Sequence, residues 1–283
     1  MGRDSLRTPD GRTLAWDTLG SGPPLLLHGG GPGGDPGYLS DFPPLDPPRT
    51  LIALHARGTG ASTRPQTYGL VEYADDVELV RHYLGIDRLD ALGHSHGGFV
   101  LQTWAAAHPR RTGRLILAGS HASFENVRAD GPALIARHAE ESWYADAMSA
   151  HQERIAREAE LGDAELASLY ARAVRLLFAV QGEREQALCR RIGLTFNGDA
   201  LRWFNSNVAE SFDLRHLLPE ITGPTLVLSG ERDPVAPPSA AAELAAGLPA
   251  AMLEMVPGTG HFAPWETHGR EHIAAAISGF LRS

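Results

Sequence analysis

The five residues Gly93-His94-Ser95-His96-Gly97 stand between a short, mostly apolar run, Leu89 to Leu92, and a helix-compatible run from Phe99 to His108 that Pro109 closes. This order reads as strand, tight turn, helix. A serine on so sharp a turn needs small residues two positions away on each side, because strand and helix must approach closely there. Gly93 and Gly97 meet that need. The turn lifts the Ser95 hydroxyl above the sheet edge and places the His96 backbone N–H at the start of a helix, where negative charge developing on an oxygen is stabilised. Ser95 is therefore the candidate nucleophile and His96 a candidate oxyanion donor. The pair His94 and His96 invites a metal reading, but no third ligand follows from the spacing, and neither metal nor organic cofactor is expected.

The segments around this turn alternate. Residues 12–17 alternate as an edge strand does, and Leu25-Leu26-Leu27 is a continuous apolar run suited to a strand buried on both faces. That run ends in His28-Gly29-Gly30-Gly31-Pro32-Gly33-Gly34, where backbone N–H groups lie free to approach a ligand. Gly30, with Gly31 as its rival, is the candidate second oxyanion donor. His28 is a candidate substrate contact, with structural hydrogen bonding as the alternative. Further strands are expected at Leu51–Leu54, Leu115–Ala118, Thr225–Gly230 and Ala251–Val256, and helices at 71–84, 239–248 and 267–282. The implied class is α/β, with a mostly parallel sheet flanked by helices.

From His121 to Thr222 strand-like runs give way to helical periodicity, with Leu169, Ala173, Leu176, Leu177 and Val180 on one face. Residues 1–120 and 223–283 thus read as one core, and 121–222 as an inserted helical cap lying over Ser95. Trp143, Tyr144, Phe178, Trp203 and Phe204 are candidate pocket aromatics, although aromatics at helical spacing also serve as core. Just past the strand at 225–230 stands Asp233, and past the last strand stands His261; open α/β sheets place function at such carboxyl ends. A serine hydroxyl needs a base poised near neutrality and a group that orients that base. His261 is the candidate base, Asp233 the candidate orienting acid, and Asp213 the runner-up acid.

Composition removes several classes. The formal net charge is −9, which argues against a nucleic-acid footprint or an anionic membrane surface. All 25 basic residues are arginine, so no lysine is present for a Schiff base, pyridoxal or a phosphate loop. Cys189 is the only cysteine, so no internal disulfide can form. With no apolar stretch of membrane length and no leader-like segment, a cytoplasmic protein is expected.

The chain order Ser95, Asp233, His261 resembles that of the α/β-hydrolase superfamily. The Gly-rich loop at 28–34, with Arg57-Gly58-x-Gly60-x-Ser62 downstream, resembles its proline iminopeptidase branch. The loop here carries an additional glycine, and His55 stands where that branch commonly has an acid. The resemblance implies a serine hydrolase with an acyl-enzyme intermediate, most specifically an aminopeptidase releasing an N-terminal residue from short peptides or amides. It also implies acidic cap residues that hold the substrate amine, for which Glu210 is the candidate here. An esterase or lactonase acting on a small metabolite fits the same residues, and a hydrolase-fold ligand receptor is the alternative of another class. The partner expected is a small molecule or short peptide; oligomeric state is left open.

Overall fold

The computed structural model describes residues 2–282. Its strands are β1 (Gly2–Arg7), β2 (Thr13–Gly20), β3 (Pro24–His28), β4 (Thr50–His55), β5 (Leu89–His94), β6 (Thr112–Ala118), β7 (Thr225–Gly230) and β8 (Ala251–Val256). They form one sheet in the order β1-β2-β4-β3-β5-β6-β7-β8. β2 runs antiparallel to β1 and β4, and the other pairings are parallel. The expected α/β class with a mostly parallel sheet is what the chain forms. One strand went unforeseen. β1 is a charged segment in which only Leu6 is buried, so its place rests on backbone pairing with β2 rather than on an apolar pattern.

The helices are α1 (Leu70–Tyr83), α2 (His96–Ala107), α3 (Glu125–Ala136), α4 (Tyr144–Arg157), α5 (Asp163–Ala173), α6 (Glu183–Ile192), α7 (Gly198–Asn207), α8 (Pro238–Gly247) and α9 (Arg270–Arg282). Five of them, α3 to α7, run consecutively between β6 and β7. The single helical face expected over 169–180 is broken: α5 ends at Ala173, a 3₁₀ turn covers Val174–Leu177, and the chain is extended at Phe178.

Alternation along the central strands builds two cores. Leu26, Ala91, Leu115, Leu117 and Val227 face one cluster with α1 and α2, while Leu25, Leu27, Leu92, Ile116 and Leu226 face the other with α9. Burial on both faces is why these runs are continuously apolar. The chain leaves β3 toward β4 and returns across it to β5, so the strand order reverses between β3 and β5. Loops diverge at such a point and leave a crevice at the strands' carboxyl ends. The Gly-rich loop after β3 and Ser95 after β5 both open into it.

Candidate active site

Ser95 precedes α2 with φ 55° and ψ −122° and is the only non-glycine with positive φ among the described residues. A backbone of this kind costs on the order of 1–3 kcal/mol and persists only where its surroundings enforce it. The Ser95 N–H donates to the Ala118 carbonyl at 2.9 Å, and its own carbonyl accepts from the Gly98 N–H at 2.8 Å. The glycines permit the approach. A Cβ at Gly93 would lie 2.5 Å from the Gly97 carbonyl oxygen and 2.7 Å from the Gly98 Cα, and one at Gly97 would strike the carbonyls of His28 and Gly29.

His261 follows β8, and its Nδ1 lies 2.9 Å from Asp233 Oδ2. Asp233 is fully buried, while its Oδ1 accepts the N–H groups of Val235 at 2.7 Å and Ala236 at 2.9 Å. Burial alone would raise this carboxyl, but the imidazole and the two N–H donors outweigh it and hold it below the usual range. An ionised Asp233 accepts a proton only from Nδ1–H, which leaves His261 Nε2 as the free basic nitrogen. The His261 N–H donates to the Leu177 carbonyl at 2.7 Å. Glu266, fully buried, accepts the N–H groups of Gly260 at 2.9 Å and Ala179 at 3.1 Å. Burial pushes its carboxyl up to about 8. The candidate base is thereby fastened to the segment that follows α5.

A second set of bonds ties the Gly-rich loop to the same histidine. The Gly30 N–H donates to the Tyr38 hydroxyl at 2.6 Å, and that oxygen lies 2.7 Å from His94 Nδ1. His94 Nε2 lies 2.9 Å from the His261 carbonyl. A carbonyl only accepts, so His94 carries its proton on Nε2 and takes the Tyr38 O–H on Nδ1. This changes the reading of the loop. Gly30 packs against the elbow, since a Cβ there would sit 2.7 Å from the Ser95 Cβ, yet its N–H is already committed to Tyr38. The Gly31 N–H has no hydrogen-bond partner among the described residues, and the N–H of His96, first in its helix, has no intrahelical acceptor.

Ser95, His261, Gly31, Asp35, Tyr170 and Ile192 share a cavity of about 10 Å³, which holds roughly one water. Tyr170 and Ile192 were not foreseen as lining residues, because neither lies on the apolar face that marked the helical segment. Asp35 is a carboxylate in this cavity, but its oxygens accept from the Gly37 N–H at 2.7 Å and the Thr195 hydroxyl at 2.5 Å. Phe204 packs edge-on to the His96 ring at 5.6 Å, and Phe178 stacks on Phe262 at 4.9 Å. Other expected contacts lie elsewhere. Glu210 is exposed, Trp203 borders a separate surface cavity, Trp143 lines another one, and Tyr144 begins α4 without lining any of them. Asp213 is taken by Arg215 at 2.6 Å.

Five other histidines, His28, His55, His94, His96 and His121, are buried. His28 Nδ1 lies 3.1 Å from the Gly29 carbonyl. His55 Nε2 bonds Asp17 at 3.1 Å while its Nδ1 accepts the Ala61 N–H at 3.0 Å, so it braces the 55–62 turn. Burial depresses His28 to about 4 and His94, His96 and His121 to about 3, with the charge of His261 adding to the shift at His94. These four rings are neutral near pH 7 and do not compete with His261 for a proton.

The profile described as alpha/beta hydrolase fold matches residues 23–267. The chain belongs to the α/β-hydrolase fold family. As a member of that family it is a hydrolase. Among its relatives is a 2-hydroxymuconate semialdehyde hydrolase of Pseudomonas putida, 30% identical over 92% of this chain and 86% of that protein. A proline iminopeptidase of Xylella fastidiosa is 27% identical over 92% of this chain and 89% of that protein. A hydrolase from Pseudomonas aeruginosa has a solved structure that superposes with a TM-score of 0.75 at 26% identity, covering 99% of this chain and 98% of that one. No described helix is long and apolar enough to cross a membrane.

Proposed function

We propose that this hydrolase acts through a Ser95–His261–Asp233 triad on a small carbonyl metabolite, an ester or lactone, with residues 121–222 serving as its cap. The observation that carries this reading is the narrow cavity at Ser95, whose lining includes no acid from residues 121–222: its one carboxylate, Asp35, follows the Gly-rich loop and is anchored by the Gly37 N–H and the Thr195 hydroxyl. A site built to hold a free amine needs an acceptor left open for it, and Glu210 does not supply one. His261 Nε2 takes the Ser95 proton as the hydroxyl attacks, and the N–H groups of His96 and Gly31 hold the oxyanion. His261 then protonates the leaving oxygen. Water repeats the cycle to release the acid. A cavity this small admits substrate only after the cap shifts, so opening is part of turnover.

A second reading, an aminopeptidase, is supported by the Gly-rich loop and by the likeness to a proline iminopeptidase across 92% of the chain. The deciding experiment is a hydrolysis panel of short acyl esters, lactones, a 2-hydroxy-6-oxo-dienoate, and prolyl amides with a free or acetylated amine, run beside fluorophosphonate labelling. Turnover of esters or lactones, with one adduct that disappears in Ser95→Ala, is expected. Turnover confined to amides with a free amine would move the assignment to the aminopeptidase. Labelling that survives Ser95→Ala would remove the nucleophile itself.

A further inference from the structure

A second cavity, of about 490 Å³, lies between the end of α3, the start of α4, the segment 175–181 and the loop that carries Asp233. It shares no lining residue with the cavity at Ser95. The two lie either side of the extended segment at Phe178: Phe178 stacks on Phe262 on the active-site side, whereas Ala179 and Gln181 border the second cavity. Its size falls within the range that encloses a small organic molecule.

Its charge is unlike that of the protein around it. Arg137, Arg175 and Arg232 converge on it, and Glu141 is the only carboxylate in its lining. None of the three arginines forms an ion pair among the described residues, although the chain as a whole carries a net charge of −9. Asp146, the next acid near Arg175, is engaged by Arg172 at 2.5 Å. Burial lowers the pKa of His138, which also borders the cavity, and so leaves this ring neutral. Two polar atoms here are buried without partners, Arg175 Nε and the Gln181 side-chain oxygen.

The cavity's lining also includes an indole ring. The Arg175 guanidinium lies over the Trp143 ring at 4.7 Å, and the His138 ring lies 5.0 Å from the same indole. Guanidinium groups meet carboxylates in a planar, two-pronged fashion, and an indole face offers stacking to a planar body. The two features select the same kind of guest. We propose that this cavity binds a small aromatic carboxylate at a site separate from the catalytic one. The Arg232 backbone N–H donates to the Thr259 carbonyl at 2.9 Å, two residues before His261. The guest therefore contacts the brace between the loops of the acid and the base without entering the catalytic cavity.

The test is calorimetric titration of the full chain with benzoate, benzamide and inorganic phosphate at low salt. Benzoate is expected to bind with a Kd of about 1 mM or tighter, benzamide not to bind, and phosphate to bind more weakly than benzoate. Arg232→Gln, at an exposed side chain, and Arg175→Gln should each weaken benzoate about tenfold, while Ser95→Ala leaves its affinity unchanged. If Arg175→Gln fails to fold, Arg232→Gln decides. No heat with 10 mM benzoate, equal binding of benzamide, or affinity indifferent to Arg232→Gln would overturn the proposal. Loss of benzoate binding in Ser95→Ala would also overturn it, by moving the anion to the catalytic cavity. Because the readout is binding, it stands or falls independently of the substrate assigned to Ser95.

Discussion

Tyr38→Phe isolates the link between the Gly-rich loop and His261, the proposed base. The ring keeps its edge-on packing against Trp265 at 4.9 Å and Phe262 at 5.7 Å, so the substitution removes only the oxygen. Two groups then lose their partner: the part-buried Gly30 N–H, now at 2.6 Å from the hydroxyl, and the buried His94 Nδ1 at 2.7 Å. An unsatisfied buried group costs about 1–3 kcal/mol and the part-buried N–H can turn to water, so a loss of about 1–3 kcal/mol in unfolding free energy is expected, without a change in the urea m-value. Catalysis should suffer separately. Gly30 is the residue that contacts Ser95, and releasing its N–H frees the loop that positions Gly31. A fall in kcat of about ten- to a hundredfold, with KM little changed, corresponds to roughly 1.4–2.7 kcal/mol of transition-state stabilisation.

Urea titration and steady-state kinetics of the same preparation measure both effects. Stability within about 0.5 kcal/mol of the parent, together with unchanged kcat, would refute the linkage. A rise in kcat would be informative in another way. It would mean that the Gly30 N–H, once released by Tyr38, serves the oxyanion better than Gly31 does.

Further outcomes follow from the buried ionisable groups. Asp233→Asn should keep the bonds from Val235 and Ala236 while turning an amide N–H₂ toward His261, enforcing the wrong tautomer; kcat should fall about 10³–10⁴-fold with stability little altered, and near-normal turnover would dismiss Asp233. The four neutral histidines have folded pKa values depressed to about 3–4, so below pH 6.5 the unfolded chain binds up to four more protons than the native one. These rings should therefore cost about 5 kcal/mol of stability between pH 7 and 5.5, of which the raised Glu266 gives back about 2, for a net fall of about 3 kcal/mol; a flat urea midpoint over that interval would contradict the burial of these rings. Glu266 is raised to about 8, so the native state keeps a proton that the unfolded chain has lost, and stability should decline as pH rises from about 4.5 through 8. Glu266→Gln retains an acceptor for Gly260 and Ala179 and should flatten that alkaline limb; an unchanged pH profile would show that Glu266 is ionised throughout.

What could be read from the chain alone divides along a physical line. The elbow was legible because its requirements are local: Gly93, Ser95 and Gly97 sit within five residues, and steric contact between strand and helix dictates their sizes. Strands β2 to β7 were legible because burial or alternation marks them, and β8 because it is a short, mostly apolar run. β1 was not, since a strand held mainly by main-chain bonds at an edge leaves a charged sequence that advertises nothing. Residues 121–222 were legible as helix but not as surface. Helical periodicity reports which side of a helix is buried, not what it is buried against, and so it grouped Trp143, which lines a surface cavity, with Phe204, which packs in the core against His96 and Phe99.

The least legible part of the site is the part that joins its pieces. Tyr38 and His94 are 56 residues apart and bond at 2.7 Å; His94 and His261 are 167 apart and bond at 2.9 Å. No spacing rule connects them, and Tyr38 lies in a Pro- and Gly-rich stretch with no periodicity to draw attention to it. Yet their geometry decides which loop N–H is free. Sequence narrowed the second oxyanion donor to Gly30 or Gly31, because both belong to the same run and either can reach the elbow. A single phenol oxygen, occupying the Gly30 N–H, shifts the assignment to Gly31. The side chains that perform chemistry can thus be nominated from local pattern, whereas those that limit what a nominee does are set by contacts that exist only once the sheet has closed.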